Sequence, residues 1–163
     1  MAERKNMRLA FEERLIPAAG RPAPPPAQDP EHRLDVAVVF TSAAATVLAL
    51  KTAGALADRL SARISLLVPQ IVPYPRPLES PAVLIDFSEN QSREIAAESM
   101  VETKVQVYLC RDRLETLKAV LAPHSIVFIG GRKRWWPTRE KILARQLRRA
   151  GHDVVLTQME QEN

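Results

Sequence analysis

The sequence predicts a single α/β domain in which a parallel β-sheet is covered by helices on both faces. Short apolar, β-branched runs alternate along the chain with longer stretches of helical periodicity, as expected for strands buried on both faces. The 163 residues are enough for one ordinary domain. Because 46% of the residues are hydrophobic but only 5% are aromatic, the predicted core is aliphatic.

The N-terminal residues predict an arm that precedes this domain. Met1–Ile16 mixes charged and apolar side chains, which predicts a short amphipathic helix. Five prolines follow within Ala18–Pro30, a composition that favours extended polyproline conformations over a packed core. We therefore expect residues 1–33 to form a mostly disordered arm, which serves as a spacer or, alternatively, as a docking tether. The domain is expected at residues 34–158, with a short tail at 159–163.

The domain is predicted to contain five strands and four helices in strict alternation. The predicted strands are the runs Leu34–Thr41, Arg63–Val68, Thr103–Leu109, Ser125–Ile129 and Asp153–Thr157. The predicted helices are Ala43–Leu60, a segment from Ser88 or Asn90 to Met100, a segment between Asp112 and Pro123, and Thr138–Ala150. Such alternation is typical of parallel sheets with helical crossovers.

Individual residues predict how several of these elements begin and end. Ser42 is placed to cap the first helix, and Asp112 with Glu115 forms the D-x-x-E version of a capping box. The five prolines of Pro69–Pro81 predict a long loop after the second strand. Gly151 is placed to end the last helix, which is amphipathic. Its predicted core-facing residues are Ile142, Leu143, Leu147 and Ala150.

The layout of the domain and its C-terminal close carry a family resemblance. A first strand leads into the long Ala-rich helix Ala43–Leu60, an irregular connection follows the second strand, and the fourth strand ends in glycine. The close is LRRAGHDVVL at Leu147–Leu156. In these features Leu34–Thr157 resembles the universal stress protein family. The resemblance implies a doubly wound sheet of five parallel strands in the order 3-2-1-4-5 and a homodimer formed through the last strand, Val154–Thr157.

The chain departs from the ATP-binding motifs of that family. Its ATP-binding members carry an Asp at the end of the first strand, where Phe40 stands here, and G-x2-G-x9-G-[ST] after the fourth strand. Here Trp135–Pro137 follows the glycine pair, with no further glycine before Gly151. Bulky side chains and a proline without an N–H group cannot form the backbone nest that holds phosphates. The resemblance therefore implies a non-catalytic binding or regulatory module with no ATP cofactor bound in the usual way.

The stretch Gly130–Glu140 (GGRKRWWPTRE) is the most unusual local feature of the sequence. It follows the fourth strand at the carboxyl edge of the sheet, where open α/β sheets bind ligands at the reversal of strand order. In the order 3-2-1-4-5 this reversal lies between the first and fourth strands. The predicted anion or nucleotide site consists of Thr41, Ser42, Gly130, Gly131, Arg132, Arg134 and Thr138. Trp135 or Trp136 would supply a stacking face.

These residues leave several interpretations open. A nucleotide- or anion-binding protein, or a weak nucleotide hydrolase, could use Arg132 and Arg134 in place of the glycine nest. The loop could instead be a solvated basic segment, with Trp135 and Trp136 packed on the sheet edge or against a partner. Nucleic-acid binding is a lesser alternative, because no nucleic-acid-binding motif occurs; it would use the basic residues and tryptophans of the same loop, or the basic C-terminal helix.

The sequence does not favour catalysis and predicts no metal site. His32 lies in the arm, whereas His124 and His152 precede strands and are expected in surface turns at the amino edge of the sheet, away from the crevice. No pair of histidines has metal-ligand spacing with Cys or acidic residues. The sequence contains no Ser-His-Asp arrangement, P-loop or GxGxxG motif.

Cysteine content and hydropathy predict a cytoplasmic protein that is not embedded in a membrane. Cys110 is the single cysteine, which excludes an intrachain disulfide. It is either a reactive thiol whose pKa is lowered by Arg111 and Arg113, or a small buried apolar residue. The longest uncharged run, Val36–Leu50, is too short to span a bilayer as a helix.

Overall fold

The structure is a computed structural model that describes residues 7–9, 14–16, 34–77, 85–97 and 102–160. The strands within these residues are β1 Met7–Leu9, β2 Arg14–Ile16, β3 Asp35–Val39, β4 Arg63–Ile71, β5 Thr103–Cys110, β6 Ile126–Arg132 and β7 Asp153–Met159. The helices are α1 Ala43–Leu60, α2 Ile85–Ala97, α3 Arg113–Val120 and α4 Arg139–Arg149. The prediction for Ala18–Pro30 and the histidine His32 lie outside the described residues.

Strands β3 to β7 form a parallel sheet in the spatial order β5-β4-β3-β6-β7. In the numbering of the five parallel strands this is 3-2-1-4-5, so the predicted doubly wound α/β fold is confirmed. The central strand is β3, where Val36 lies between Ile64 of β4 and Ile126 of β6. Consecutive strands on each side of β3 are joined by helices that cross the sheet.

The core consists of two aliphatic clusters, one on each face of the sheet. Val36 and Val38 of β3 belong to the cluster beneath α1 and α2. Ala37 and Val39, which alternate with them, belong to the cluster beneath α3 and α4. All four side chains are buried, as expected for a strand that is covered on both faces. The continuous apolar run seen in the sequence is therefore explained by burial on both sides.

The N-terminal strands correct one prediction. Strands β1 and β2 pair antiparallel with β5, with Met7 opposite Cys110 and Ile16 opposite Thr103. The helix predicted for Met1–Ile16 is wrong at these residues. The unpaired edge of β5 offers backbone donors and acceptors, and pairing with a distant strand is not visible in local periodicity. The two short strands therefore cover one edge of the parallel sheet.

Strand β4 also extends further than predicted, to Ile71, so that the loop expected from residue 69 begins later. Pro69 lies inside this strand and pairs with Tyr108 of β5. On the other side of β4, the pairing with β3 ends where Val39 meets Leu67. Because Pro69 lies beyond that last pair, no ladder with β3 requires its missing N–H group.

Helix α4 turns a slightly different face to the core than predicted. The buried residues of α4 are Leu143, Ala144 and Leu147. Ile142 is 43% exposed and Ala150 is exposed, so the prediction that these two residues face the core is wrong. The hydrophobic character of Ile142 suggested burial, but its position lies beside the stripe defined by Leu143 and Leu147, which are one helical turn apart.

Half of the capping box predicted for α3 is formed: Asp112 caps the helix, whereas the Glu115 carboxylate pairs with Lys118 at 3.1 Å. The Asp112 carboxylate accepts a hydrogen bond from the Glu115 backbone N–H at 2.9 Å. The Asp112 backbone is extended, as an N-cap requires. Since α3 is only eight residues long, it has little intrinsic stability, and its start depends on this cap.

We expect Asp112→Ala to lower the free energy of unfolding by about 1 kcal/mol, because the Glu115 N–H group loses its acceptor. The measurement is urea unfolding followed by circular dichroism. Asp112→Asn is the matched control, since an amide oxygen also caps a helix, and it should retain most of the wild-type stability. Equal stability of Asp112→Ala and wild type would contradict the role given to this cap.

Candidate functional site

A cleft opens at the carboxyl edge of the sheet, between β3 and β6. The two strands pair as far as Val39 and Ile129. Beyond this pair, β3 leads into α1 on one face, whereas the chain after β6 leads into α4 on the other face. The chain thus separates at the reversal of strand order, where α/β sheets place ligand sites. The cleft encloses about 460 Å³ and is lined by Thr41, Ser42, Ala45, Gly130, Gly131, Arg132, Arg134, Trp136, Pro137, Thr138, Arg139 and Glu140.

The structure brings all seven predicted site residues to the wall of this cleft. The Thr41 hydroxyl donates a hydrogen bond to the Gly130 carbonyl oxygen at 2.8 Å, across 89 positions of sequence. The Thr41 backbone N–H donates to the hydroxyl of Thr46, which is fully buried in α1. Thr41 therefore joins the end of β3 to β6 and to the first turns of α1.

Gly130 allows α1 to approach β6 more closely than any other residue would. A Cβ atom at this position would lie 2.5 Å from the carbonyl carbon of Ala45, and closer still to its oxygen. These are backbone atoms of a helix, which cannot move aside as a flexible side chain can. Gly131 points to the other face, where a Cβ atom would meet the Cβ of Glu140 at 3.3 Å. The two glycines therefore let α1 on one face and α4 on the other lie close to β6 where the cleft begins.

The N-terminus of α1 forms one wall of the cleft. Ser42 is its N-cap and has an extended backbone, but its side chain makes no capping hydrogen bond. The predicted position of the cap is confirmed, whereas the side-chain bond is not formed. No acidic residue occupies the first turn. Since the first N–H groups of a helix have no intrahelical partners, those of Ala43 and Ala44 are suited to an anion.

The N-terminus of α4 forms the opposite wall. The Thr138 hydroxyl accepts a hydrogen bond from the Lys141 backbone N–H at 3.3 Å, so this helix is capped by its own chain. Glu140 lies in the first turn and is the one acidic residue among those that line the cleft. Its carboxylate also benefits from the helix N-terminus, which makes it the group that an incoming anion must displace or avoid.

Three arginines make the cleft positively charged. Arg132, Arg134 and Arg139 are exposed and line the cleft. Within the described part of the chain, their guanidinium groups take part in no ion pair. In contrast, Lys133 is 3.4 Å from Glu160, and the Lys141 ammonium group donates to the Arg134 carbonyl oxygen. The three guanidinium groups thus outweigh the single carboxylate of Glu140.

The two tryptophans do not pack as one interpretation of the sequence required. Trp135 is 94% exposed and Trp136 is 75% exposed. The interpretation that they pack on the sheet edge is therefore wrong, while a partner molecule is not tested. Trp136 lines the cleft, whereas Trp135 does not.

Four lining residues were not among the predicted site residues, namely Ala45, Pro137, Arg139 and Glu140, and one signal could have found three of them. Ala45, Arg139 and Glu140 occupy the first turns that follow the N-caps Ser42 and Thr138. Counting one helical turn beyond each cap would have included them. Phe40, which stands near the family's acidic position, packs partly buried against the cluster beneath α1 and does not line the cleft.

Cys110 is a buried structural residue. Its side chain is fully buried, and the thiol lies 3.7 Å from the Gln70 carbonyl oxygen. Burial raises the pKa of the Cys110 thiol, and this effect exceeds the opposing effects of a hydrogen bond with Thr116 and the charge of Arg113. The predicted lowering of its pKa is therefore wrong, and the alternative of a small buried residue is confirmed.

The two described histidines lie far from the cleft. His124 precedes β6 and is exposed, and its Nδ1 atom is 3.2 Å from the Gly151 carbonyl oxygen. His152 precedes β7 and is only 8% exposed, so its predicted surface position is wrong. Both lie at the amino edge of the sheet. Among the residues that the structure describes, no group of His, Cys, Asp or Glu side chains is arranged to hold a metal ion.

Comparison with known proteins assigns the chain to no family. No protein-family model matches the chain, and no curated protein matches it either. The universal stress protein resemblance therefore stays a prediction, while the doubly wound fold is established. No helix within the described ranges is long and apolar enough to cross a bilayer.

We expect Gly130→Ala to lower the free energy of unfolding by about 1–3 kcal/mol, because its Cβ would overlap the backbone of α1. Gly131→Ala is the matched control. Its Cβ would lie 3.3 Å from the Cβ of Glu140, a tight contact that a shift of a few tenths of an ångström relieves, and we expect a smaller loss of stability than for Gly130→Ala. Both are measured by urea unfolding, and the reverse order of the two effects would overturn the packing described for the glycine pair.

Proposed function

We propose that the chain is a non-catalytic module that binds a phosphate-bearing anion in the cleft between β3 and β6. The observation that carries this proposal is the meeting of two helix N-termini with three arginines at one cleft. The proposal requires no chemical step, in keeping with the expectation from the sequence. We also propose that the protein is located in the cytoplasm. The single cysteine, Cys110, is a buried free thiol, and free thiols are typical of proteins in a reducing compartment.

The arginines and the helix termini both contribute to this binding, and solvent screening keeps the contribution of each exposed group modest. An exposed helix N-terminus stabilises an anion by about 0.3–1 kcal/mol. A hydrogen bond to a charged group contributes about 1.5–3 kcal/mol before solvent screening reduces it. Arg132 ends β6, Arg134 follows it in the connecting segment, and Arg139 begins α4. The three side chains therefore reach the cleft from β6, α4 and the segment between them.

The universal stress protein resemblance suggests how such a site could arise. A related scaffold would keep its ligand position at the reversal of strand order and replace the backbone nest with side chains. Trp135–Pro137 occupies the place of the missing glycines. The uncapped first turn of α1 and the three arginines supply the donors that such a nest would otherwise provide. A nucleotide, with its phosphates in the cleft, is the ligand class closest to the family.

The double variant Arg132→Ala/Arg134→Ala should bind pyrophosphate, ADP and ATP about 10–100-fold more weakly than wild type, because two charge-assisted hydrogen bonds are lost. Isothermal titration calorimetry measures the affinities. Arg145→Ala/Arg149→Ala is the matched control, since it removes the same charge from exposed positions of α4 that do not line the cleft. Equal losses in the two double variants, or no heat with folded wild type, would reject the proposed site.

We further propose a homodimer formed through β7. The two edges of the sheet differ: β5 is covered by β1 and β2, whereas β7 pairs only with β6 among the described strands. Between Asp153 and Glu160 this strand carries no charged residue, and Val155 is 39% exposed. An uncharged edge strand invites pairing with another copy, here through backbone groups other than the Val154 carbonyl, which already accepts from the Arg148 side chain at 2.7 Å. A twofold axis beside β7 would join two such edges.

Wild-type protein should form a dimer at tens of micromolar, and Val155→Lys should shift it to monomer, because a charge on the edge opposes strand pairing. Light scattering coupled to size-exclusion chromatography measures the mass. Ile71→Lys is the matched control, because Ile71 is 48% exposed in β4 and lies in the other half of the sheet. A monomeric wild type would remove the dimer from the proposal.

A further inference from the structure

The segment 132–137, which we call the tryptophan loop, exposes two large aromatic faces. The chain has two tryptophans, and both lie in this loop at positions 135 and 136. Tryptophan is among the most buried residues on average, so two adjacent indoles at 94% and 75% exposure are exceptional. Tyr74 is also 77% exposed, but the Arg111 guanidinium covers its ring at 4.1 Å. No such cation covers either indole among the described residues.

The tryptophan loop also carries unpaired positive charge. Arg132 and Arg134 flank the lysine that pairs with Glu160, and they have no ion-pair partner in the described part of the chain. Arg139, at the start of α4, adds a third guanidinium group with no ion pair among the residues that the structure describes. Exposed aromatic rings and nearby cations are the two features that proteins use to bind single-stranded nucleic acids. The bases stack on the rings, and the phosphates contact the cations.

We propose that the tryptophan loop binds single-stranded nucleic acid. One backbone phosphate lies in the cleft, and a neighbouring base stacks on Trp136, which lines the same cleft. The next base along the strand stacks on Trp135. This inference rests on the proposed anion site and extends it from a single phosphate to a polymer. It also prefers nucleic-acid binding through the loop, which the sequence left as a lesser alternative, to a contribution from the basic C-terminal helix.

A single strand fits these residues better than a duplex or a bilayer. Duplex bases are already stacked and present no free face to an indole. An anionic bilayer also attracts basic and aromatic residues, but it needs an apolar face that enters the headgroup region. Here the exposed neighbours of the indoles are Arg134 and Pro137, and Trp136 faces a polar, positively charged cleft. The bilayer is therefore one of the outcomes that the experiment must exclude.

Intrinsic fluorescence tests this proposal directly, because both tryptophans of the chain lie in the loop. The titrant is oligothymidylate of about twelve nucleotides, within the size range of known single-strand sites. We expect saturable quenching. We also expect the affinity to fall with salt, with a log–log slope of about −2 for contacts from three arginines. A duplex of the same length should bind at least about tenfold more weakly.

Substitutions locate the stacking. With a fluorescein-labelled oligonucleotide, Trp135→Ala/Trp136→Ala should bind about tenfold or more weakly. Tyr74→Ala removes an exposed aromatic ring outside the cleft and should leave the affinity unchanged. If the double variant does not fold, the two single variants Trp135→Phe and Trp136→Phe serve instead. Each keeps one indole, and the oligonucleotide should quench the fluorescence of the remaining tryptophan in both.

Three results would overturn the inference: no quenching by the oligonucleotide, equal affinity for duplex, or a blue shift with anionic phosphatidylserine vesicles that exceeds any response to the oligonucleotide. Failure here is distinguishable from failure of the proposed function. Pyrophosphate binding that depends on Arg132 and Arg134, without oligonucleotide binding, rejects only the polymer. Oligonucleotide binding that depends on the tryptophans, without pyrophosphate binding or any effect of the two arginines, rejects the cleft as the phosphate position.

Discussion

The close contact between Gly130 and the backbone of Ala45 is the constraint on which the cleft depends. A side chain at Gly130 would push the first turn of α1 away from β6. The Thr41 hydroxyl bond to the Gly130 carbonyl, at 2.8 Å, holds the end of β3 against the same point. Together these contacts place the N–H groups of one helix beside the strand whose continuation carries the arginines. The steric requirement for glycine and the proposed anion site thus coincide at Gly130.

Much of the fold was predictable because the central strands are buried on both sides. Apolar runs predicted four of the parallel strands, the alternation of Thr103–Leu109 predicted the other, and the Asp112 cap was visible as a local motif. The helix expected at Met1–Ile16 was wrong because the partner of that segment, β5, lies almost a hundred residues away. Ile142 was placed in the core by its hydrophobicity alone. Errors of both kinds arise where a tertiary contact, rather than local pattern, decides the outcome.

The position of the site was predictable from topology, whereas its composition was only partly so. The reversal of strand order brings Thr41 to Gly130 in any sheet of this order. The sequence could not show that Arg139 would join Arg132 in the cleft without counting the first turn of α4. It also could not show that the Trp135 side chain would be 94% exposed, because tryptophan side chains are usually buried. Exposure is a property of the folded loop.

The central claim is that two helix N-termini and the arginines hold a phosphate at the cleft. Nuclear magnetic resonance titration of ¹⁵N-labelled protein with pyrophosphate tests it most directly, because each backbone amide reports separately. The largest saturable shifts are predicted at the first-turn amides Ala43 and Ala44 of α1 and Arg139 and Glu140 of α4. Unchanged amides at both helix N-termini, or shifts concentrated instead on the far end of α4 near Arg149, would contradict the claim.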